Sequence, residues 1–131
     1  MKNLLRKLLG DRGERAAVRF LKRQQMRILE CQHRNQFGEI DIVALDGQCV
    51  VFVEVKTRTG TGAGLPVEAV DRQKQQKLTR AALAWLKKKR RLERPSRFDV
   101  VSIIWPDERA EPQIQHYRNA FEPQGFGQMY G

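Results

Sequence analysis

The sequence predicts an α/β fold in which one mixed β-sheet is flanked by helices. A helical pattern comes first, a group of short apolar runs follows, and a second helical pattern and more apolar runs complete the chain. At 131 residues, positions 1–131 are most simply one domain with a single hydrophobic core. The hydrophobic fraction of 40% is typical of a globular chain and argues against a disordered one.

The first predicted helix covers residues 11–25, and a short helix or arm at residues 1–10 precedes it. Apolar residues recur with helical spacing in 11–25, and Asp11 is the expected N-cap. In MKNLLRKLLG, Arg6 and Lys7 interrupt the apolar residues, which favours a short amphipathic helix over a signal peptide. No apolar run approaches the ~20 residues that a membrane span requires.

Three β-strands are predicted next. Residues 26–31 form a weak first strand, and a turn region at 33–38 separates it from two stronger apolar runs at 40–45 and 49–55. Asp46-Gly47 between the stronger runs is a two-residue hairpin signal. With this pair as the loop, we expect Leu45 to lie opposite Gln48.

A glycine-rich loop at residues 57–66 is predicted to lead into the second helix at 67–90. The loop is interpreted either as a connector or as a segment that closes over substrate beside the site. Lysine and arginine residues suit the C-terminal end of the helix. Residues 97–105 predict a further strand and 113–118 an edge strand, while 122–131 predict a loose tail.

Charged residues in the predicted hairpin form the strongest functional signal. Strand alternation places Glu39 and Asp41 on one side of their strand, opposite Ile40 and Ile42, and places Glu54 and Lys56 together on the next strand. The assumed turn sets Asp41 opposite Phe52 and Glu39 opposite Glu54. All four charged side chains are therefore expected to meet on one patch.

Three carboxylates with one ammonium group repel one another unless a cation compensates them. Asp41 and Glu54 could each give one oxygen to Mg²⁺, or to Mn²⁺ in its place, and Val55 could add its backbone carbonyl. Such an ion polarises a phosphate and lowers the pKa of water. Lys56 would orient or deprotonate a water or stabilise charge on the phosphate. A structural cluster of ion pairs is the alternative that the residues leave open.

Basic residues are concentrated in one segment of the chain. The net charge is +10, and residues 72–97 contain 11 basic residues and one acid, Glu93, so this segment carries the entire excess. Such a surface attracts polyanions, most plausibly nucleic acid, although a solvated helix face is the plainer alternative. The residues predicted to contact phosphate or steer DNA by charge are Arg58, Arg72, Lys74, Lys77, Arg80, Lys87 and Lys88.

The motifs GEID (residues 38–41) and VFVEVKTR (51–58) resemble the PD-(D/E)XK, or restriction-endonuclease-like, nuclease superfamily. The nearest branch is the YraN-like family, which is similar to archaeal Holliday-junction resolvases. GERAAVRFL (13–21), RN (34–35), Val70, Lys74, RFDVV (97–101) and NAF (119–121) also fit this branch. Ile40 stands where the superfamily usually has proline.

The resemblance implies a core of αβββαβ order and a role for each of five residues. Asp41 and Glu54 would be metal ligands, Lys56 the catalytic lysine, and Glu14 would approach the metal from the first helix. Glu39 would belong to the catalytic group as the glutamate of the GEID motif.

The expected function is that of a magnesium-dependent DNA endonuclease acting on branched or structured DNA. The alternatives are a nucleic-acid-binding module that keeps the fold with little chemistry, and a scaffold whose charges form ion pairs. Cys31 and Cys49 show no ligand spacing, so we expect reduced thiols and a cytoplasmic location. A cut in both DNA strands would imply a homodimer by symmetry, for which the sequence shows no signature.

Overall fold

The computed structural model describes residues 2–60, 70–107 and 109–124, with residues 2–10 described as backbone only. The elements in chain order are α1 (Lys2–Arg23), β1 (Arg27–Asn35), β2 (Gly38–Asp46), β3 (Cys49–Thr59), α2 (Arg72–Lys88), β4 (Ser96–Trp105) and β5 (Gln113–Phe121). The predicted α/β class and αβββαβ order are confirmed, and β5 completes the sheet as the expected edge strand.

The five strands form one mixed sheet in the order β1-β2-β3-β4-β5. Strands β3 and β4 are parallel, and the other neighbouring pairs are antiparallel. The parallel pair requires a crossover connection, which contains α2. Strands β1 to β3 form two consecutive hairpins, so the chain places its charged strands side by side.

The two helices pack on opposite faces of the sheet. Successive residues of β3 alternate between the faces: Val51 and Val53 pack with α1, whereas Val50 and Phe52 pack with α2. Each face of the sheet is therefore buried under one helix, which explains why β3 is apolar on both sides. Two hydrophobic cores result, separated by the sheet.

The hairpin register differs from the predicted one. Asp46 pairs with Cys49, so the loop consists of Gly47 and Gln48, and the predicted pairing of Leu45 with Gln48 is wrong. Gly47 has a φ of +60° at the first loop position, a conformation that glycine adopts without steric cost. The offset amounts to two residues, and an even offset leaves the side chains of the regularly paired residues, Ile42 to Asp46 and Cys49 to Val53, on their predicted faces.

Both helices begin at positions other than those predicted. A single helix runs from Lys2, so Asp11 lies inside α1 and is not its N-cap. The second helix begins at Arg72 and not at residue 67, because Asp71 caps it: its Oδ1 accepts a hydrogen bond of 2.8 Å from the backbone N–H of Lys74. Most of the predicted loop at 57–66 and of the predicted tail, residues 61–69 and 125–131, lies outside the described residues.

A close approach brings α1 against β3. A Cβ atom on Gly13 would lie 2.1 Å from Oγ1 of Thr57, a distance that no side chain tolerates. Glycine at this position therefore lets the helix backbone approach the strand, and the next residue, Glu14, is carried toward the sheet. None of the helices in the described ranges is long and apolar enough to cross a membrane.

Candidate functional site

Asp41 lies where the regular pairing of β2 with β3 ends. The last pair in the register is Ile42 with Val53. Ile40 packs on the α2 face and Ile42 on the α1 face, so the expectation that both point the same way is wrong, and alternation breaks at Asp41. Oδ2 of Asp41 accepts a hydrogen bond of 2.8 Å from the backbone N–H of Val55. The side chain thus takes the place of a ladder carbonyl where the strands separate.

The predicted pairing of Asp41 with Phe52 is wrong, because Phe52 pairs with Val43, and Asp41 and Glu54 directly follow the last regular pair, Ile42 with Val53. Glu54 is buried, with 5% of its surface exposed. Burial, together with the charge of Glu54, raises the pKa of Asp41 to about 8. The two carboxylates are thus close enough to compete for ionisation, as the predicted cluster requires.

Two lysines lie next to Glu54. Nζ of Lys74 is 2.6 Å from Oε1 of Glu54, and Nζ of Lys56 is 3.6 Å from the same oxygen. Burial and the charge of Lys74 hold the pKa of Lys56 below its ordinary value. Burial also disfavours the charged form of Lys74, but the hydrogen bond and charge of Glu54 outweigh it and raise the pKa of Lys74. Lys74 was expected to contact phosphate, and its direct ion pair with Glu54 was not anticipated.

Glu14 reaches the same region from α1. Burial raises the pKa of Glu14, a hydrogen bond from Gln32 opposes this rise, and the nearby carboxylates Asp11, Glu39 and Glu54 add to it. The amide Nε2 of Gln32 donates to one carboxylate oxygen of Glu14 and to Oδ1 of Asp11. The other oxygen of Glu14, Oε1, is buried without a hydrogen-bond partner among the described residues. A buried carboxylate oxygen normally has a hydrogen-bond donor or a cation as its partner, and the described residues supply neither to this one.

Glu39 is the most exposed of the predicted acids. Its Oε2 lies 3.2 Å from NH2 of Arg34 on the neighbouring strand β1, and 42% of its side-chain surface is exposed. Exposure at this level makes the ion pair a weak one. Glu39 is therefore placed at the rim of the site, where it can also face a ligand.

Two clefts meet at Asp41. The α2-side cleft has a volume of about 410 Å³ and is lined by Glu39, Asp41, Glu54, Lys74 and Lys77, among others. The α1-side cleft has a volume of about 470 Å³ and is lined by Asp11, Glu14, Glu39, Asp41, Val55 and Thr57, among others. Asp41 and Glu39 belong to both clefts, so the strand break connects the two sides of the site.

The donor set suits one hard divalent cation. No three His, Cys, Asp or Glu side chains in the described part of the chain form a ready-made cage for an ion. Magnesium, however, is usually held by one or two carboxylates and keeps several waters. Asp41 and Glu54 meet that requirement. The backbone N–H of Val55 donates to Asp41, which places the Val55 backbone beside the carboxylate; a role for its carbonyl as a third ligand stays a prediction.

The basic residues of α2 divide into two groups. Lys74 and Lys77 line the α2-side cleft. Six buried α2 residues, including Leu78 and Trp85, face the sheet, so the exposed cations lie on the opposite, solvent-facing side. Besides Lys77, the exposed cations of α2 are Arg72, Arg80, Lys87 and Lys88. Arg58 of β3 is half-buried. Of the residues predicted to bind nucleic acid, Lys74 and Lys77 thus lie at the site. Arg72, Arg80, Lys87 and Lys88 form a separate group on the solvent-facing side of α2, which we call the basic stripe.

Sequence reasoning missed two residues that shape the site. Gln32 holds Glu14, but a neutral amide in a strand carries no sequence signal. Its backbone φ of +51° marks an irregularity that only coordinates reveal. Asp71, which fixes the start of α2 and hence the position of Lys74, carried a signal: an Asp immediately before a helical pattern favours an N-cap.

Comparison with known proteins gives consistent matches. The model of the uncharacterised protein family UPF0102 matches residues 13–103. The chain is 50% identical over 120 residues to a UPF0102 protein of Geobacter metallireducens, covering 92% of this chain and 97% of the relative. It is 43% identical to one of Rhodococcus opacus, covering 86% and 95%, and 42% identical to one of Rhodopirellula baltica, covering 94% and 75%. The matched region includes Glu14, Asp41, Glu54, Lys56 and Lys74. The chain belongs to the UPF0102 family.

Proposed function

We propose that the protein is a divalent-metal-dependent endonuclease that hydrolyses DNA phosphodiester bonds, with branched or structured DNA as its substrate. The observation that carries the proposal is the pair of carboxylates formed by the half-buried Asp41 and the buried Glu54, at a break in the sheet that opens into two clefts. An acid in a cleft whose pKa is strongly raised by burial and by a neighbouring carboxylate, as that of Asp41 is, is a candidate functional residue.

Each residue of the site has a role that its surroundings support. Asp41, Glu54 and the carbonyl of Val55 would hold the ion, and Glu14 would approach it from α1. When bound, Mg²⁺ or Mn²⁺ supplies Lewis-acid polarisation of the phosphate and a lowered pKa for water. Lys56, whose pKa is lowered, is suited to accept or share a proton of the attacking water, or to stabilise negative charge on the phosphate.

The resemblance to the PD-(D/E)XK superfamily supports the same proposal. Its two motifs, GEID and VFVEVKTR, are the segments that bring Asp41, Glu54 and Lys56 together, in a fold of αβββαβ order. The site also has positive charge where a phosphate would enter, from Lys74 and Lys77 in the α2-side cleft.

A nucleic-acid-binding protein with little catalytic activity is the second candidate. It is favoured by the position of Lys74, whose ammonium group lies 2.6 Å from Glu54 and takes a place that a metal ion would contest. In that case the basic stripe of α2 would supply affinity without chemistry.

Cleavage of DNA by purified protein tests the proposal. Branched, linear duplex and single-stranded DNA are incubated with Mg²⁺ or Mn²⁺ and with wild type, Glu54→Gln or Lys56→Ala. We expect metal-dependent cleavage by wild type that falls on the order of a thousandfold in each variant, because charge stabilisation at the phosphate is worth several kcal/mol. Glu93→Gln, an exposed acid in the loop after α2, is the matched control and should cleave normally.

Cleavage that survives in both variants would come from a contaminant and would contradict the proposal. Binding without cleavage, weakening steeply as salt rises, would support the second candidate instead. Failure of wild type to bind any of the three DNA forms would exclude both functions.

A further inference from the structure

An exposed aromatic side chain stands beside the α2-side cleft. Within the described residues, the exposed large apolar side chains are Phe37, with 38% of its surface exposed, and Leu92, with 45%. Phe37 lies in the two-residue turn between β1 and β2, and the residues that follow it, Gly38 and Glu39, line the cleft that contains Asp41. The catalytic proposal gives Phe37 no role.

The turn that carries Phe37 is anchored to the body of the protein. The backbone N–H of Phe37 donates a 3.0 Å hydrogen bond to Oδ1 of Asn35. Nδ2 of Asn35 donates a 3.1 Å hydrogen bond to the carbonyl of Ala81 in α2. A Cβ atom on Gly38 would lie 4.0 Å from both Cβ and the carbonyl oxygen of Lys77, so the turn also rests on α2. The backbone that carries the exposed ring is thus held in place, and an anchored backbone lowers the entropy cost of binding.

The surroundings of Phe37 are suited to a nucleic-acid strand. Lys74 and Lys77 line the adjoining cleft and can attract a phosphate, and Arg34 is exposed on β1. An exposed aromatic ring next to cations is the arrangement with which proteins stack bases of single strands. Bases of a continuous duplex are already stacked on both faces, so a ring at a turn tip can stack only on a base that is unpaired or splayed out.

We propose that Phe37 stacks on an unpaired nucleobase next to the phosphate in the α2-side cleft, and thereby selects single-stranded or branch-point segments over continuous duplex. The inference rests on the proposed function in requiring a nucleic-acid substrate, and it names the feature of that substrate which is recognised. Asn35 is the positioning residue, since it connects the turn to α2.

Binding without cleavage isolates the stacking contact. Fluorescence anisotropy with EDTA present measures the affinity of wild type, Phe37→Ala and Phe37→Trp for a single strand, a forked duplex and a continuous duplex. We expect Phe37→Ala to lose about 5-fold to 150-fold in affinity for the single strand and the fork, since one stacked base is worth about 1–3 kcal/mol. Affinity for the continuous duplex should be unchanged, and Phe37→Trp should restore the selectivity.

Leu92→Ala is the matched control. Leu92 is similarly exposed but follows the C-terminal end of α2, whereas the cleft residues Lys74 and Lys77 belong to its N-terminal half. We expect this variant to bind all three DNA forms as wild type does. A 2-aminopurine base in the unpaired arm of the fork provides a direct signal: wild type should quench its fluorescence and Phe37→Ala should not.

The outcomes separate this inference from the proposed function. Suppose that wild type binds DNA and that Phe37→Ala binds the single strand and the fork as tightly as wild type does, or loses as much affinity for the continuous duplex as for the single strand. The stacking role is then wrong, while the nuclease proposal stands. If wild type binds none of the DNA forms, both fail. Loss of cleavage in Glu54→Gln together with intact, Phe37-dependent binding would support both.

Discussion

Two aspartates on the same sheet, the fully buried Asp99 and the half-buried Asp41, have opposite surroundings. Asp99 of β4 is fully buried and accepts hydrogen bonds from Nε and NH2 of Arg97 at 2.9 and 3.2 Å, from Nε2 of His116 at 2.8 Å and from the N–H of Asn119 at 2.9 Å. Burial alone would raise the pKa of Asp99, but the bonds from His116 and Arg97 outweigh it and lower the pKa.

Asp41 is half-buried and has far less compensation. Across the part of the chain that the structure describes, its carboxylate accepts one hydrogen bond, from Val55, and it faces a second carboxylate, Glu54. Its pKa accordingly moves in the other direction, to about 8. The same side chain in the same sheet is thus satisfied at one position and left short of positive charge at the other.

The comparison separates a structural charge from a functional one. A buried charge that is fully paired contributes to the fold, and its loss leaves partners uncompensated. A buried charge without enough partners costs stability and is retained where it binds something. We therefore assign Asp99 to stability and Asp41 to function, and the predictions below are chosen to break or sharpen that contrast.

Replacement of the satisfied aspartate should have the largest effect on stability. Asp99→Asn removes the fully buried charge that pairs with the imidazole of His116 and with the half-buried guanidinium of Arg97, which keeps its ion pair with Asp46. We expect the free energy of unfolding to fall by about 3–5 kcal/mol, as for other broken buried ion pairs. Denaturant unfolding followed by circular dichroism measures the change.

The pH dependence of stability offers an independent readout for Asp99. Because its pKa is lower in the folded than in the unfolded protein, it stabilises the fold above the ordinary Asp pKa, and this contribution disappears as the pH falls toward the folded value. Wild type should therefore lose stability below about pH 4 more steeply than Asp99→Asn does. Equal acid profiles, or a variant as stable as wild type at neutral pH, would refute the structural assignment.

Replacement of Lys74 should have a smaller effect, on metal affinity. Its ammonium group lies 2.6 Å from Glu54 and competes with any ion for that oxygen. In Lys74→Gln we expect Mn²⁺ to bind roughly threefold to tenfold more tightly, because a like charge near the ion is removed. Titration calorimetry in DNA-free buffer measures the affinity.

Lys77→Gln is the control for Lys74, since Lys77 lines the same cleft and is exposed to solvent. Screening by water should leave its effect on metal affinity within about twofold. Weaker metal binding in Lys74→Gln than in wild type would mean that Lys74 supports the ion site, which would overturn the competition described here.

The spacing of apolar residues along the sequence predicted much of the fold. Regular alternation in β3 placed Glu54 and Lys56 opposite Val53 and Val55, as the structure has them. The even offset in the hairpin preserved the faces of the regularly paired residues even though the pairs were wrong, whereas the break in alternation at Asp41 was not predicted. Local pattern thus predicted the strands and the face of the charges.

Other features depend on tertiary contacts that periodicity does not encode. At Asp41 the regular strand pairing ends, and a hydrogen bond from the N–H of Val55 to the Asp41 side chain replaces one between backbone groups. No residue type in the sequence predicts this change. The Asp99 cluster joins β4 to β5 through His116, a contact over 17 positions in sequence. The sequence motif RFDVV contained Arg97 and Asp99, but their ion pair within one strand became evident only from the geometry.

Mn²⁺ binding to wild type and to Asp41→Asn, measured by titration calorimetry, tests the central claim most directly, because it asks whether Asp41 and Glu54 share a cation. We expect one saturable site per chain in wild type, retained in Glu93→Gln and lost in Asp41→Asn, whose amide keeps the acceptor for Val55 but not the charge. Absence of binding to wild type, or equal binding to Asp41→Asn, would contradict the account.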